Sequence, residues 1–115
     1  MKTNIFDGKV FLERMMNDYD FAQTIAEDFF KDIPLQIQNL KDALNADDPK
    51  DVQLHAHSIK GIAATLSAQA LSDLAFKFES LAKKNDLDLI RTNLNELEEH
   101  FLAAKKEINK FLETK

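Results

Sequence analysis

Glycine and proline are scarce in this chain, and their scarcity restricts the folds that it can adopt. The 115 residues include only two glycines and two prolines. Turns between β-strands rely on such residues, so a sheet of several strands would lack turn chemistry. Leucine, alanine, glutamate and lysine are abundant, and these residues favour helices. The sequence therefore predicts an all-α fold.

Capping residues and apolar spacing define two helices in the first part of the chain. Asp7 is expected to cap a short helix that runs to about Asn17. A second helix begins near Asp18 or Asp20, and Pro34 is expected to kink it without ending it, because the apolar spacing resumes in phase. The apolar residues expected along one face of this helix are Phe21, Ile25, Phe29, Ile33, Ile37, Leu40 and Leu44.

Three further helices are predicted in the rest of the chain. Asp48 and Pro49 suit the N-cap and the first position of the third helix. Ser67 is expected to cap the fourth, which covers about 68–84, and Asn85 suits a left-handed ending. The fifth shows steps of four and three, which are typical of a bundle seam. Its seam positions are Ile90, Leu94, Leu97, Phe101, Ala104, Ile108 and Phe111.

Long amphipathic helices joined by short polar breaks are typical of an antiparallel, up-and-down four-helix bundle. We therefore expect such a bundle, with a short extra N-terminal helix, and we expect residues 1–115 to form one domain. The chain has no cysteine, which is compatible with the cytoplasm, where we expect it to reside. It has no run of 18 apolar residues and no signal-peptide pattern at its start.

Charge and motifs exclude several classes of function. The net charge is −5, and no dense stripe of lysine and arginine suggests binding to nucleic acid. The sequence has no glycine-rich phosphate loop, no nucleotide motif and no acidic cluster for Mg²⁺. We expect a monomer without a bound cofactor, without a metal site and without membrane insertion.

Two of the three histidines lie in the third helix and project in different directions. At about 100° per residue, His55 lies at the edge of the apolar arc, whereas His57 lies roughly 160° from its centre and faces outward. Residues two apart project about 200° apart, so this pair cannot share a metal ion. We expect a packed boundary position for His55 and a solvated surface position for His100.

The neighbours of His57 indicate a binding surface. Lys60 and Gly61 follow at three and four residues, so they lie beside the imidazole, and Ala64 continues the strip. Glycine inside a helix costs about 1 kcal/mol relative to alanine, which suggests that another molecule approaches closely there. Lys60 would place positive charge where an anion arrives.

Two apolar side chains are expected at the surface near this strip. Leu54 lies three residues before His57 on the same side, and Phe76 lies off the apolar arc of the fourth helix. Both could belong to a surface on which a partner protein docks, although Phe76 could instead fill a gap between helices. Glu79 lies about 95° from the core centre of the fourth helix, a boundary position that also suits an ordinary rim carboxylate.

The segment AHSIKG, residues 56–61, resembles the phosphorylation motif of histidine-containing phosphotransfer (HPt) domains. The resemblance covers essentially the whole chain, since it includes Phe6-Asp7, Ile33-Pro34 and Phe78-Glu79. One departure is Ser67, where many members of the family carry glycine. Because serine is a good helix cap, we expect this change to be tolerated.

The resemblance implies a phosphoryl carrier in a two-component phosphorelay. A neutral imidazole is a competent nucleophile near neutral pH, and His57 would carry the phosphoryl group between receiver-domain aspartates. Lys60 would stabilise the phosphoryl oxygens, and Glu79 would orient the ring. The residues assigned to the partner surface are Leu54, Ser58, Gly61 and Ala64.

The same resemblance implies that the chain is not itself an enzyme. The receiver domain of a response regulator would supply Mg²⁺ and most of the catalytic machinery, and a hybrid sensor histidine kinase is a further expected partner. Two alternatives are a helical adaptor that binds a signalling partner without being phosphorylated, and a domain that has lost its activity. The joint presence of His57, Lys60 and Gly61 argues against the loss of activity.

Overall fold

The computed structural model describes residues 5–114, and over these residues the chain forms five α-helices and no β-strand. The all-α prediction is therefore confirmed. The two ends of the predicted 1–115 domain lie outside the described residues. The helices are α1 (Gly8–Arg14), α2 (Tyr19–Asn45), α3 (Pro49–Thr65), α4 (Gln69–Lys83) and α5 (Leu87–Glu113).

Aspartate side chains begin four of these helices. The side chains of Asp7, Asp18, Asp48 and Asp86 each accept a hydrogen bond from the backbone N–H three residues further on. Each bond satisfies a donor that the first helical turn leaves without a partner. Pro49 is the first residue of α3, where its missing N–H costs nothing. The capping signals in the sequence thus set these helix starts.

The turn between α3 and α4 differs from the prediction, because Ser67 is not the N-cap of α4. Its backbone is left-handed, with φ 58°, and Ala68 precedes the helix without a side-chain cap. The hydroxyl of Ser67 is buried and has no hydrogen-bond partner among residues 5–114. A left-handed residue reverses the chain here, as Asn85 does after α4. Glycine suits such a position because it has no Cβ to clash.

The four long helices share one hydrophobic core. α2 and α4 each contact both α3 and α5, and α1 contacts α2. Within residues 5–114, no helix combines the length and hydropathy that crossing a membrane requires. The largest fully buried side chains are Phe11, Phe78, Ile33, Leu40, Ile59, Leu66, Leu71, Ile90, Leu97, Ile108 and Val52.

The buried face of α2 is not the continuous stripe that the sequence predicts. Phe21 is 46% exposed, and Ala22 and Ala26 occupy the core at that end of the helix. Each step of four residues overshoots a full turn by about 40°, so Phe21 lies about 160° from Ile37. The helix continues through Pro34, as predicted.

The seam of α5 is confirmed, and its C-terminal end contacts the N-terminal segment. Five of the seven seam positions are buried, while Leu94 and Phe111 are partly buried. The ring of Phe111 lies 5.6 Å from that of Phe6 and 6.0 Å from that of Tyr19, between centroids. A Cβ on Gly8 would lie 2.5 Å from a carbon of the Phe111 ring, so glycine permits this approach.

Candidate functional site

Within the AHSIKG segment of α3, buried residues set the direction in which His57 projects. Ala56 and Ile59 are buried and fix the rotation of α3 about its axis. His57 consequently projects into solvent, with 61% of its side chain exposed. This is the direction that helical geometry predicts for His57.

Glu79 of α4 lies beneath the imidazole of His57. Its Oε2 is 2.9 Å from Nδ1 of His57, which is hydrogen-bonding distance. Only 7% of the Glu79 side chain is exposed, so it is buried rather than at the boundary or rim that the sequence predicts. A buried carboxylate requires partners that compensate for its lost hydration, and those partners come from α3.

Lys60 supplies the second partner of this carboxylate. Its Nζ lies 2.8 Å from Oε1 of Glu79. The contact is an ion pair rather than a well-directed hydrogen bond, so the lysine's charge is what compensates Oε1. The same ammonium lies 5.1 Å from the centroid of the Phe76 ring, within cation–π range. One carboxylate therefore holds both the exposed ring and the nearby cation of α3.

These contacts determine which nitrogen of His57 is available. Burial raises the pKa of Glu79, but the contacts with Lys60 and His57 outweigh burial and hold this pKa below its ordinary value of 4.5. Glu79 is thus ionised at neutral pH and can only accept hydrogen bonds. In the neutral ring the proton then lies on Nδ1, and the lone pair on Nε2 is left for chemistry.

The exposed residues near His57 are small or apolar. Gly61 is exposed, and a Cβ placed on it would have no neighbour within 4 Å apart from its own helix. Ala64 is also exposed, and Leu54 and Phe76 each expose more than half of their surface. An exposed, partly apolar surface of this kind could receive a second protein.

The structure gives the Ser58 hydroxyl a partner within its own helix. Oγ of Ser58 donates to the carbonyl oxygen of Leu54 at 3.2 Å. On the neighbouring helix, Oγ of Ser72 donates to the carbonyl oxygen of Lys60 at 3.1 Å. The Ser72 bond fixes the register of α4 against α3, and sequence reasoning did not identify it.

The other histidines lie apart from this site. His55 is half-buried, and its Nδ1 is 3.0 Å from Oε1 of Gln36 on α2, which confirms its boundary position. His100 is half-buried on α5 rather than fully solvated. Within residues 5–114, no group of three or more histidine, cysteine, aspartate or glutamate side chains could hold a metal ion.

Sequence reasoning also missed the contact between Phe76 and Lys60. Phe76 and Glu79 are three residues apart on α4 and therefore share a helical face. That spacing was the available signal, because a glutamate that faces His57 brings Phe76 towards α3 as well. The aromatic contact itself depends on how α3 and α4 pack, which local pattern does not specify.

Comparisons with known proteins agree with this architecture. The sequence model of the family described as Hpt domain matches residues 24–107. A solved structure, histidine-containing phosphotransfer protein B (HptB) from Pseudomonas aeruginosa PAO1, is similar with a TM-score of 0.88. The match covers 99% of each chain at 19% sequence identity, a likeness of fold. The comparison with curated proteins gives no match.

Proposed function

This chain belongs to the Hpt domain family, and we propose that Nε2 of His57 is the atom that carries its phosphoryl group. Histidine phosphotransfer in a two-component phosphorelay is the function of the chain. The observation that supports His57 as acceptor is the 2.9 Å contact between its Nδ1 and Oε2 of Glu79. This contact orients the ring and leaves Nε2 exposed as the nucleophile.

In the proposed transfer, the lone pair of Nε2 attacks the phosphorus of an aspartyl phosphate on a receiver domain. A P–N bond forms while the P–O bond to the aspartate breaks, and the aspartate leaves as a carboxylate. The imidazole keeps its Nδ1 proton and gains positive charge, which the carboxylate of Glu79 stabilises. The same step in reverse delivers the phosphoryl group to another receiver aspartate.

The remaining site residues have supporting roles in this proposal. The Nζ of Lys60 neutralises charge on the phosphoryl oxygens, because it lies on the same carboxylate as the acceptor ring. Gly61 leaves open space along the approach to His57. The partner surface comprises Leu54, Ser58, Gly61 and Ala64, with the backbone and stem of Ser58 rather than its hydroxyl available for contact.

The proposal includes the partner and the setting. A response-regulator receiver domain binds this surface and supplies Mg²⁺, while this chain holds no cofactor and is a carrier rather than an enzyme. A hybrid sensor histidine kinase is a further partner. We infer a cytoplasmic monomer in which one domain spans residues 1–115. We also infer antiparallel, up-and-down order for α2–α5, because short connections join helices that contact each other.

The experiment that tests this proposal is phosphotransfer from a phosphorylated receiver domain. The chain should acquire phosphate that is labile in acid and stable in alkali. Correlation of ³¹P with the imidazole protons by NMR then identifies the modified nitrogen. Phosphate on Nε2 of His57 is the expected result. Phosphate on Nδ1, on another residue or on no residue would contradict the proposal.

A further inference from the structure

We propose that Phe76 is a positioning residue for phosphotransfer, which holds the ammonium of Lys60 next to His57 through a cation–π contact. Nζ of Lys60 lies 5.1 Å from the centroid of the Phe76 ring. This inference rests on the proposed function of His57, and it assigns to Phe76 an effect that is transmitted through Lys60.

The two helices bring the ring and the carboxylate to the same lysine. Ser72 contacts the backbone of Lys60, whereas Glu79 contacts His57, so later residues of α4 face earlier residues of α3. Phe76 lies between Ser72 and Glu79 on α4. The ammonium of Lys60 is therefore held by Oε1 of Glu79 at 2.8 Å and by the aromatic face of Phe76.

A lysine side chain needs this second contact if its ammonium is to stay in place. Its four-carbon stem is flexible, and an ion pair with a carboxylate has little directional preference. Some 28% of the Lys60 side chain is exposed, so water competes for the ammonium. In the proposal, the contact with the ring of Phe76, 5.1 Å from Nζ to the ring centroid, restricts the movement of the ammonium.

Core packing does not account for an aromatic residue at position 76. Phe76 is 54% exposed, so about half of its apolar surface gains nothing from burial. The ring presents its face to a cation, the arrangement that the charge distribution of an aromatic ring favours. When a phosphoryl group arrives at Nε2, the lysine is already near, and the weak ring contact lets it turn towards the phosphoryl oxygens.

A donor that needs no docking surface separates positioning from partner binding. Phosphoramidate is a small phosphoryl donor whose P–N bond breaks, with release of ammonia, as the bond to His57 forms. The test compares its rate with the wild type, Phe76→Leu and Phe76→Tyr, each made in the full chain. Leucine keeps apolar volume without an aromatic face, whereas tyrosine keeps the face.

We expect Phe76→Leu to slow phosphorylation by about two- to fivefold, the range that an exposed cation–π contact supplies, and Phe76→Tyr to remain close to the wild type. In a Lys60→Met background, Phe76→Leu should add no further loss. An unchanged rate, or the same loss in both backgrounds, would overturn the proposal. A loss seen only with a phosphorylated receiver would also overturn it, since that result identifies a docking role.

A spectroscopic measurement tests the contact without phosphorylation. The ε-methylene protons of Lys60 should show an upfield NMR shift from the ring current of Phe76, and Phe76→Leu should remove it. Ordinary shifts in the wild type would overturn the proposal. If His57 accepts no phosphate while the upfield shift is present, the proposed function fails and the placement of Lys60 by the ring is supported.

Discussion

Oε2 of Glu79 lies 2.9 Å from Nδ1 of His57, so a buried carboxylate on α4 fixes the tautomer of an exposed ring on α3. The other oxygen of the same carboxylate lies 2.8 Å from Nζ of Lys60. One side chain thus contacts both the ring that we propose as nucleophile and the cation that we propose to face the phosphoryl group. The activity of His57 depends in this account on the packing of α3 against α4.

Acid should remove the stability that Glu79 contributes. The pKa of Glu79 in the folded chain lies below its ordinary value of 4.5. Its contribution is therefore fully present above that ordinary value and is lost as the pH falls through the lower pKa of the folded state. Between about pH 5 and about pH 3, the free energy of unfolding should decrease more in the wild type than in Glu79→Gln.

Urea denaturation of both proteins across this pH range provides the measurement. All other carboxylates are common to the two proteins, so their contributions cancel in the comparison. Parallel pH profiles would show that Glu79 contributes nothing that depends on its ionisation.

Glu79→Gln should also slow phosphotransfer at neutral pH, because a neutral amide stabilises the charged ring less than a carboxylate does.

Replacement of Gly61 should separate stability from phosphotransfer. Gly61→Ala should raise the free energy of unfolding by about 0.5–1 kcal/mol, because alanine favours the helix and its Cβ meets no neighbour. Gly61→Glu should fold as well, yet its side chain would obstruct the approach to His57. A displacement of about 1 Å in the reacting atoms can reduce the rate by about a hundredfold.

Thermal melts paired with single-turnover transfer rates test this prediction. The matched control is Asn95→Glu, which places a glutamate at an exposed position on α5, away from the proposed partner surface. The control should transfer at the wild-type rate. Normal transfer by folded Gly61→Glu would show that no partner needs this space.

Ser67→Gly should stabilise the fold by about 1 kcal/mol. Ser67 has φ 58° and a buried hydroxyl that has no partner in the described part of the chain. Glycine removes both the left-handed strain, about 1–2 kcal/mol, and the unsatisfied hydroxyl, although it also increases the entropy of the unfolded chain. Ser67→Ala removes the hydroxyl alone and should stabilise less than glycine. Denaturation showing alanine to be the more stable variant would contradict the backbone explanation.

The sequence predicts much of this architecture because the relevant signals are local. The caps at Asp7 and Asp48, the start of α2 near Asp18 and the alternating steps along α5 depend on neighbouring residues, so they could be recognised without a structure. The cap at Asp86 was not predicted. The outward direction of His57 follows from helical geometry in the same way. The N-cap role predicted for Ser67 was wrong, because serine suits both an N-cap and a turn. Only the path of the chain from α3 to α4 decides between these two roles.

The carboxylate of Glu79 illustrates what local pattern cannot specify. Its angular separation of about 95° from the centre of the buried face of α4 is compatible with a position at the rim of the core. The structure buries it because Lys60 and His57 approach from α3 and compensate for its lost hydration. The cation–π contact of Phe76 has the same origin, since its partner lies on another helix.

The most direct test of the central claim is transfer of labelled phosphate from a phosphorylated receiver domain to four proteins. These are the wild type, His57→Gln, His55→Gln and His100→Gln, each first shown to melt cooperatively. We predict that His57→Gln acquires no label, because it lacks the nucleophilic imidazole nitrogen that the contact with Glu79 leaves exposed. His55→Gln and His100→Gln should be labelled like the wild type. Label that persists on His57→Gln would contradict the account, and so would loss of label through either control substitution.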